Sequence, residues 1–227
     1  PQRVTDLEQS LQALEARVTA LEQSQPDPEE PEVPTTSEFP DAQTTGVPTG
    51  TSLRYEENSM TITQDGFVLD GVHVDGSVTI DADNVTIRNC LIQTGTSLYP
   101  IHVRSSATGT VIEDVEIDNR GGTGIGMYLQ GDNVTVRRVN IHSAEDGIRI
   151  QSHNTTIEYS YIHDLQRYEG GHHDCIQIRS GDNVTLVGSC AAGADRGPWE
   201  IEGSGWTTIC APSRWPAAAA VAAPAAA

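Results

Sequence analysis

The chain has 227 residues, with 32 acidic side chains against 13 basic ones, all of them arginine, for a formal net charge of −19. Such acidity excludes non-specific nucleic-acid binding, which needs cations to displace counterions. Four cysteines without a paired C-x-x-C spacing exclude a disulfide scaffold or a zinc finger, and no apolar run approaches the roughly 18 residues of a membrane span. Residue 1 is Pro and no leader pattern follows it, which reads as a processed chain, a fragment or a protein exported by another route.

Residues 1–25 carry a heptad. Val4, Leu7, Leu11, Leu14, Val18 and Leu21 alternate in steps of three and four, as a and d positions do. Arg3 and Arg17 fall at g, and Glu8, Glu15 and Glu22 at e. RVTDLE and RVTALE resemble the Arg-h-x-x-h-Glu pattern of trimeric coiled coils, which implies a homotrimer. The coil is short, and helix nucleation is costly, so it needs more coil upstream or help from the next domain. Residues 26–54 are rich in Pro and Glu. Pro fixes φ and removes amide donors, and like charges repel, so an extended linker is expected.

From residue 59 a repeat sets in. Its units read MTITQDGFVLDGVHV, VTIDADNVTIRNCLI, IHVRSSATGTVIEDVEI, MYLQGDNVTVRRVNI, IRIQSHNTTIEYSYI and IQIRSGDNVTLVGSC. The first apolar pair of each unit aligns on Ile62, Ile80, Val103, Leu129, Ile150 and Ile178. The second aligns on Leu69, Ile87, Ile112, Val136, Ile157 and Leu186. Apolar positions recur every second residue, so the units are strands. Strands of about four residues broken by Asn, Asp and Gly turns, repeating every 20–30 residues or so, predict a β-solenoid over 55–190. The Leu-x-x-Leu-x-Leu signature of a leucine-rich repeat is absent, and β-branched residues dominate. Asn84, Asn133, Asn154 and Asn183 share one turn position, where Asn tolerates left-handed backbone. Each heads an Asn-x-Thr sequon that the repeat itself generates. Cys90 aligns with Val115 and Val139 and reads as an inward small hydrophobe.

These units resemble the right-handed parallel β-helix superfamily, which includes pectate lyases, polygalacturonases, alginate epimerases and phage tailspikes. The resemblance implies an all-β parallel β-helix behind the N-terminal coiled-coil helix, with a substrate groove on a sheet face. Residues flanking the first-strand anchors would point outward from stacked coils: His102 and Arg104, Tyr128 and Gln130, Arg149 and Gln151, Gln177 and Arg179. Amides and guanidinium groups bond hydroxyls or carboxylates, and a Tyr ring packs on a sugar face. A plain solvated sheet face is the alternative.

The longest connections follow the second strand pair, and loops on rigid scaffolds often carry function. His142 and His163 align in adjacent coils and join the substrate-binding candidates. Asp146 and Asp174 align just before a first strand, in EDGIRI and HHDCIQI. Stacked carboxylates repel, so one of them would be a raised-pKa acid. Asp146, Asp174, His173 and Arg149 are the catalytic candidates for a polysaccharide lyase or glycosidase. With His173 or Glu145 the two carboxylates could instead hold a divalent cation such as calcium; no cofactor is otherwise implied. HHDCIQI is similar to the polygalacturonase Asp-Asp-Cys-Ile stretch, but His173 stands for its first carboxylate, and the Gly-His-Gly and Arg-Ile-Lys motifs are missing. Turn capping is the plainer role for both aspartates.

After Cys190 the apolar repeat stops, and residues 191–227 read as an irregular low-complexity tail, a cap or a truncated or frame-shifted end. Stalk, acidic spacer and β-helix together resemble a phage tail fibre or tailspike, or a secreted actinobacterial surface protein. The expectation is an extracellular or virion-tail homotrimer that engages polysaccharide, with an enzyme or a ligand-free structural spacer as alternatives.

Overall fold

The computed structural model describes residues 40–166, 173–188, 190–191, 199–201 and 206–209. The heptad of residues 1–25 and the coiled coil expected from it lie outside the described residues. Every strand pairing among the described residues is parallel. β1 (Arg54–Glu56) leads into a first coil of β2 (Met60–Ile62), β3 (Val68–Asp70) and β4 (Val72–Asp75). The next two coils hold β5 (Val78–Ile80) with β6 (Thr86–Gln93), and β7 (Ile101–Val103) with β8 (Val111–Asp118). Then come β9 (Met127–Leu129), β10 (Thr135–Arg137) and β11 (Asn140–His142), followed by β12 (Ile148–Gln151), β13 (Thr155–Glu158) and β14 (Tyr161–Ile162). A further coil holds β15 (Ile176–Ser180), β16 (Val184–Val187) and β17 (Cys190–Ala191), and β18 (Trp199–Ile201) and β19 (Trp206–Ile209) begin another.

The coils stack into three faces. Face one is a seven-stranded sheet in the order β18-β15-β12-β9-β7-β5-β2. Face two runs through β3, the first halves of β6 and β8, then β10, β13, β16 and β19. Face three holds β1, β4, the second halves of β6 and β8, then β11, β14 and β17. The registers place Ile62, Ile80, Val103, Leu129, Ile150 and Ile178 in one row. Leu69, Ile87, Ile112, Val136, Ile157 and Leu186 form another. Both rows match the sequence alignment, and every member is buried. Each such side chain contributes about 1.5–3 kcal/mol on burial, so this inner column is what holds the solenoid together. Cys90 lies in it, fully buried.

Two corners bend the chain. At the first, Asn84, Asn133, Asn154 and Asn183 have φ of 56°, 57°, 54° and 59°. The Asn183 side-chain amide donates to Asn154 Oδ1 (2.9 Å), and that of Asn154 to Asn133 Oδ1 (3.0 Å). The turn residue thus also bonds up the stack. At the second corner Asn89, Asp114, Arg138 and Tyr159 take φ of 47–55°. This bend carries β6 and β8 from face two to face three while both keep their pairing.

Two sequence-based boundaries shift. The linker does not stay extended to residue 54. From Pro40 onward the chain lies against the solenoid: Pro40, Thr45 and Gly46 are buried, and the Gly46 amide donates to Arg138 O at 2.8 Å. Asp41 caps its own turn through Gln43 and Thr44. Gly46 fits because its φ is +78° and a Cβ there would sit 3.0 Å from the Asn140 Cβ. The other shift is at the far end. Parallel pairing passes residue 190, with Ile201 opposite Ile178 and Thr208 opposite Leu186. The apolar repeat is lost there because Ala191 and Thr208 stand where earlier coils use larger aliphatic residues.

Candidate functional site

Alternation turns every second residue of face one outward. The first outward row runs Thr61, Thr79, His102, Tyr128, Arg149 and Gln177. Two threonines thus give way to an imidazole, a phenol and a guanidinium. His102 and Tyr128 stack with ring centroids 5.2 Å apart and planes 15° apart. Tyr99, from the connection into β7, joins both, at 5.1 Å from His102 and 4.7 Å from Tyr128. Sequence reasoning missed Tyr99; its only signal was an aromatic beside Pro100 at the strand start. Exposed Leu98 (64%) is its neighbour.

A second outward row follows the anchors, with Asp81, Arg104, Gln130 and Gln151 on successive coils. His102 Nε2 lies 2.9 Å from Gln130 Oε1, and the Tyr128 hydroxyl donates to Gln151 Oε1. The phenol is held above its ordinary pKa, first by burial and then by the neighbouring Tyr99, so it stays protonated and a donor. Arg104 faces Asp81 at 3.9 Å. A register shift after Ile150 sets Gln151 opposite Ser180. Arg179, aligned with Gln151 by sequence, is therefore the residue skipped at the bulge; it remains exposed.

The four catalytic candidates do meet, but not as an open carboxylate pair. Asp146 and Asp174 occupy equivalent places in adjacent coils, yet Asp146 is only 1% exposed. Its Oδ1 accepts the Asp174 amide at 2.9 Å, and its Oδ2 accepts from Arg149 at 3.3 Å. Arg149 Nε donates to Gln177 Oε1 (2.7 Å), and Gln177 Nε2 to Asp174 Oδ2 (3.2 Å). The result is a closed ring of Asp146, Arg149, Gln177 and Asp174. Gln177, expected to bind substrate, is 5% exposed and serves that ring instead. A general acid must reach the bond it protonates, whereas the Asp146 carboxylate is buried and accepts the amide that opens the Asp174 turn. His173, half-buried with φ +61°, precedes Asp174 at this corner. No group of three or more His, Cys, Asp or Glu side chains placed to hold a metal ion occurs among the described residues.

His142 and His163 align as expected, with rings 5.3 Å apart, but they lie on face three, away from the Tyr128 row. The strand after the second corner carries them there. His142 sits beside Glu116 (3.4 Å) and Asp118 (3.6 Å), and the Glu116 hydrogen bond foremost raises its pKa against the opposing effect of burial. Burial pushes the Asp118 carboxyl up, but hydrogen bonds from Gln93 and the Arg120 amide outweigh it and hold its pKa low. His163 stacks on Tyr161 at 4.3 Å and bonds Asn140 and Asp164. Arg120 continues this polar ladder to Asp75 and Gln93, at 2.8 Å each.

Three stacked parallel faces around one inner aliphatic column define a parallel β-solenoid. The model of the right-handed β-helix region matches residues 55–209, and the chain belongs to that family. Its span takes in the strands beyond residue 190. No curated protein and no solved structure matches the chain significantly. No helix among the described residues is long and apolar enough to cross a membrane.

Proposed function

We propose that this β-helix engages polysaccharide along face one, through Tyr99, His102, Tyr128, Gln130 and Gln151. The observation that carries this reading is the aromatic cluster of Tyr99, His102 and Tyr128 set beside two amides on adjacent rungs. Rungs repeat about every 4.8 Å, so a sugar chain lying along the stack meets polar groups at regular intervals. Face two offers nothing comparable among the described residues. Outward charges there pair with one another, as Arg88 with Asp70 and Arg137 with Glu113. The heptad supports a homotrimer, in which linked sites raise avidity without any new contact. An acidic, stalked, polysaccharide-engaging protein works outside the cell, as a secreted or virion-tail component.

Affinity electrophoresis and a glycan array with wild type and Tyr128→Ala test the site. Binding by the wild type, with a loss of at least about tenfold in the variant and an unchanged melting temperature, supports it. An array on which wild type binds nothing would leave the spacer as the better description. Light scattering tests the trimer, and a monomer at micromolar concentration refutes it.

A further inference from the structure

We infer that the polysaccharide taken by face one is uncharged, not a polyuronate or a sulfated chain. This rests on the polysaccharide-binding reading above and adds the ligand class. The argument is a charge inventory. On and beside the face, Arg104, Arg149 and Arg179 stand against Asp81, Asp146 and Asp174. Arg104 is 3.9 Å from Asp81. Arg149 is committed twice over, to Asp146 at 3.3 Å and to Gln177 at 2.7 Å. Arg179 is the one arginine of the face without an ion-pair partner among the described residues, and it sits off the regular register at the bulge. Among the described residues these three cations and three carboxylates balance, on a chain whose net charge is −19.

A polyanion with one charge per sugar needs cations repeated along the rungs. Here Arg104 and Arg149, on the rungs of the aromatic cluster and the next one, already face Asp81 and Asp146, so apart from Arg179 the donors beside the rings are neutral. The carbonyl oxygens of Gln130 and Gln151 are engaged by His102 and Tyr128, which reserves their amino groups for an outside acceptor. Tyr128 keeps its proton because burial and then Tyr99 outweigh the opposite pull of Arg149 and Arg179. Neutral amides and a phenol match hydroxyl and acyl oxygens. A carboxylate on every sugar taken to the same place loses its hydration with Arg179 as the one uncommitted cation of the face among the described residues. Tyr99 and exposed Leu98 extend the apolar part of the surface, which suits the C–H face of an uncharged sugar.

The test is binding of the full chain to a panel of neutral glucan, mannan, galactan and chitin oligomers, set against polygalacturonate, alginate and a sulfated galactan. Each is measured between about 0.01 M and about 1 M salt, over which the screening length falls from about 30 Å to about 3 Å. The expected result is binding to a neutral member, changed less than about twofold by salt and at least about tenfold weaker in Tyr128→Ala. Tighter binding to a polyanion, lost in high salt and in Tyr128→Ala, overturns the ligand class but leaves face one as the site. Binding that ignores Tyr128→Ala, or no binding to any member, overturns the site itself and this inference with it.

Discussion

Replacing Asp146 separates a scaffold role from a catalytic one. Its carboxylate is almost fully enclosed, and among the described residues the Asp174 amide bonds Oδ1 and Arg149 bonds Oδ2. Asp146→Ala removes the acceptor of a part-buried amide, which costs about 1–3 kcal/mol. It also strips Arg149 of its carboxylate. Breaking a fully buried pair costs about 3–5 kcal/mol, but the Arg149 side chain is 28% exposed, so water recovers much of that and about 1 kcal/mol remains. The total, about 2–4 kcal/mol, corresponds to a fall in melting temperature on the order of 10 °C for a body of this size. Asp146→Asn keeps an acceptor oxygen for Asp174 but loses the charge and the acceptor facing Arg149, so about 1 kcal/mol is expected. Thermal unfolding followed by circular dichroism, wild type against both variants, reads the difference. If Asp146→Ala melts with the wild type while polysaccharide turnover disappears, the scaffold reasoning is wrong and the residue is catalytic.

Three further outcomes are expected. His142 has a raised pKa in the fold, so its protonated form adds stability that is complete below the ordinary value of about 6.5 and is lost as pH rises through the raised one. His142→Gln should therefore lag wild type in acid and converge with it in alkali, as read by melting temperature against pH; a gap that widens upward refutes the pairing with Glu116 and Asp118. Asn154→Val puts a β-branched residue at φ 54° and breaks two rungs of the amide ladder, at a cost of about 2–4 kcal/mol, whereas Asn154→Gly relieves the backbone and should recover at least about 1 kcal/mol of it in denaturant titration. Gly46→Val sets a side chain against Asn140 in left-handed backbone and should release residues 40–53, seen as new protease cleavage there while the solenoid core stays resistant.

The two anchor rows were legible because each depends on a local rule. A residue two positions from an inward one also points inward, and a corner of the stack needs Asn, Asp or Gly within a few residues. The ring that absorbs Asp146, Arg149, Gln177 and Asp174 was not legible, since it joins side chains up to 28 residues apart across two coils. Sequence alignment brought Asp146 beside Asp174 but carried no sign that one carboxylate would be enclosed. His142 shows the same limit. Its coil neighbour was right, and its face was decided by the bend at Arg138.

Sequence by itself determined the fold class, the register of the coils and the inward column, because period-two burial and turn chemistry act over a few residues. It also determined the imbalance of charge. Only the tertiary structure decided which of those charges meet solvent. Tertiary structure also brought Tyr99 onto face one, shifted Arg179 off its register and laid residues 40–54 along the solenoid. Those outcomes are settled by contacts between coils, where each side chain has several partners within reach and burial selects among them.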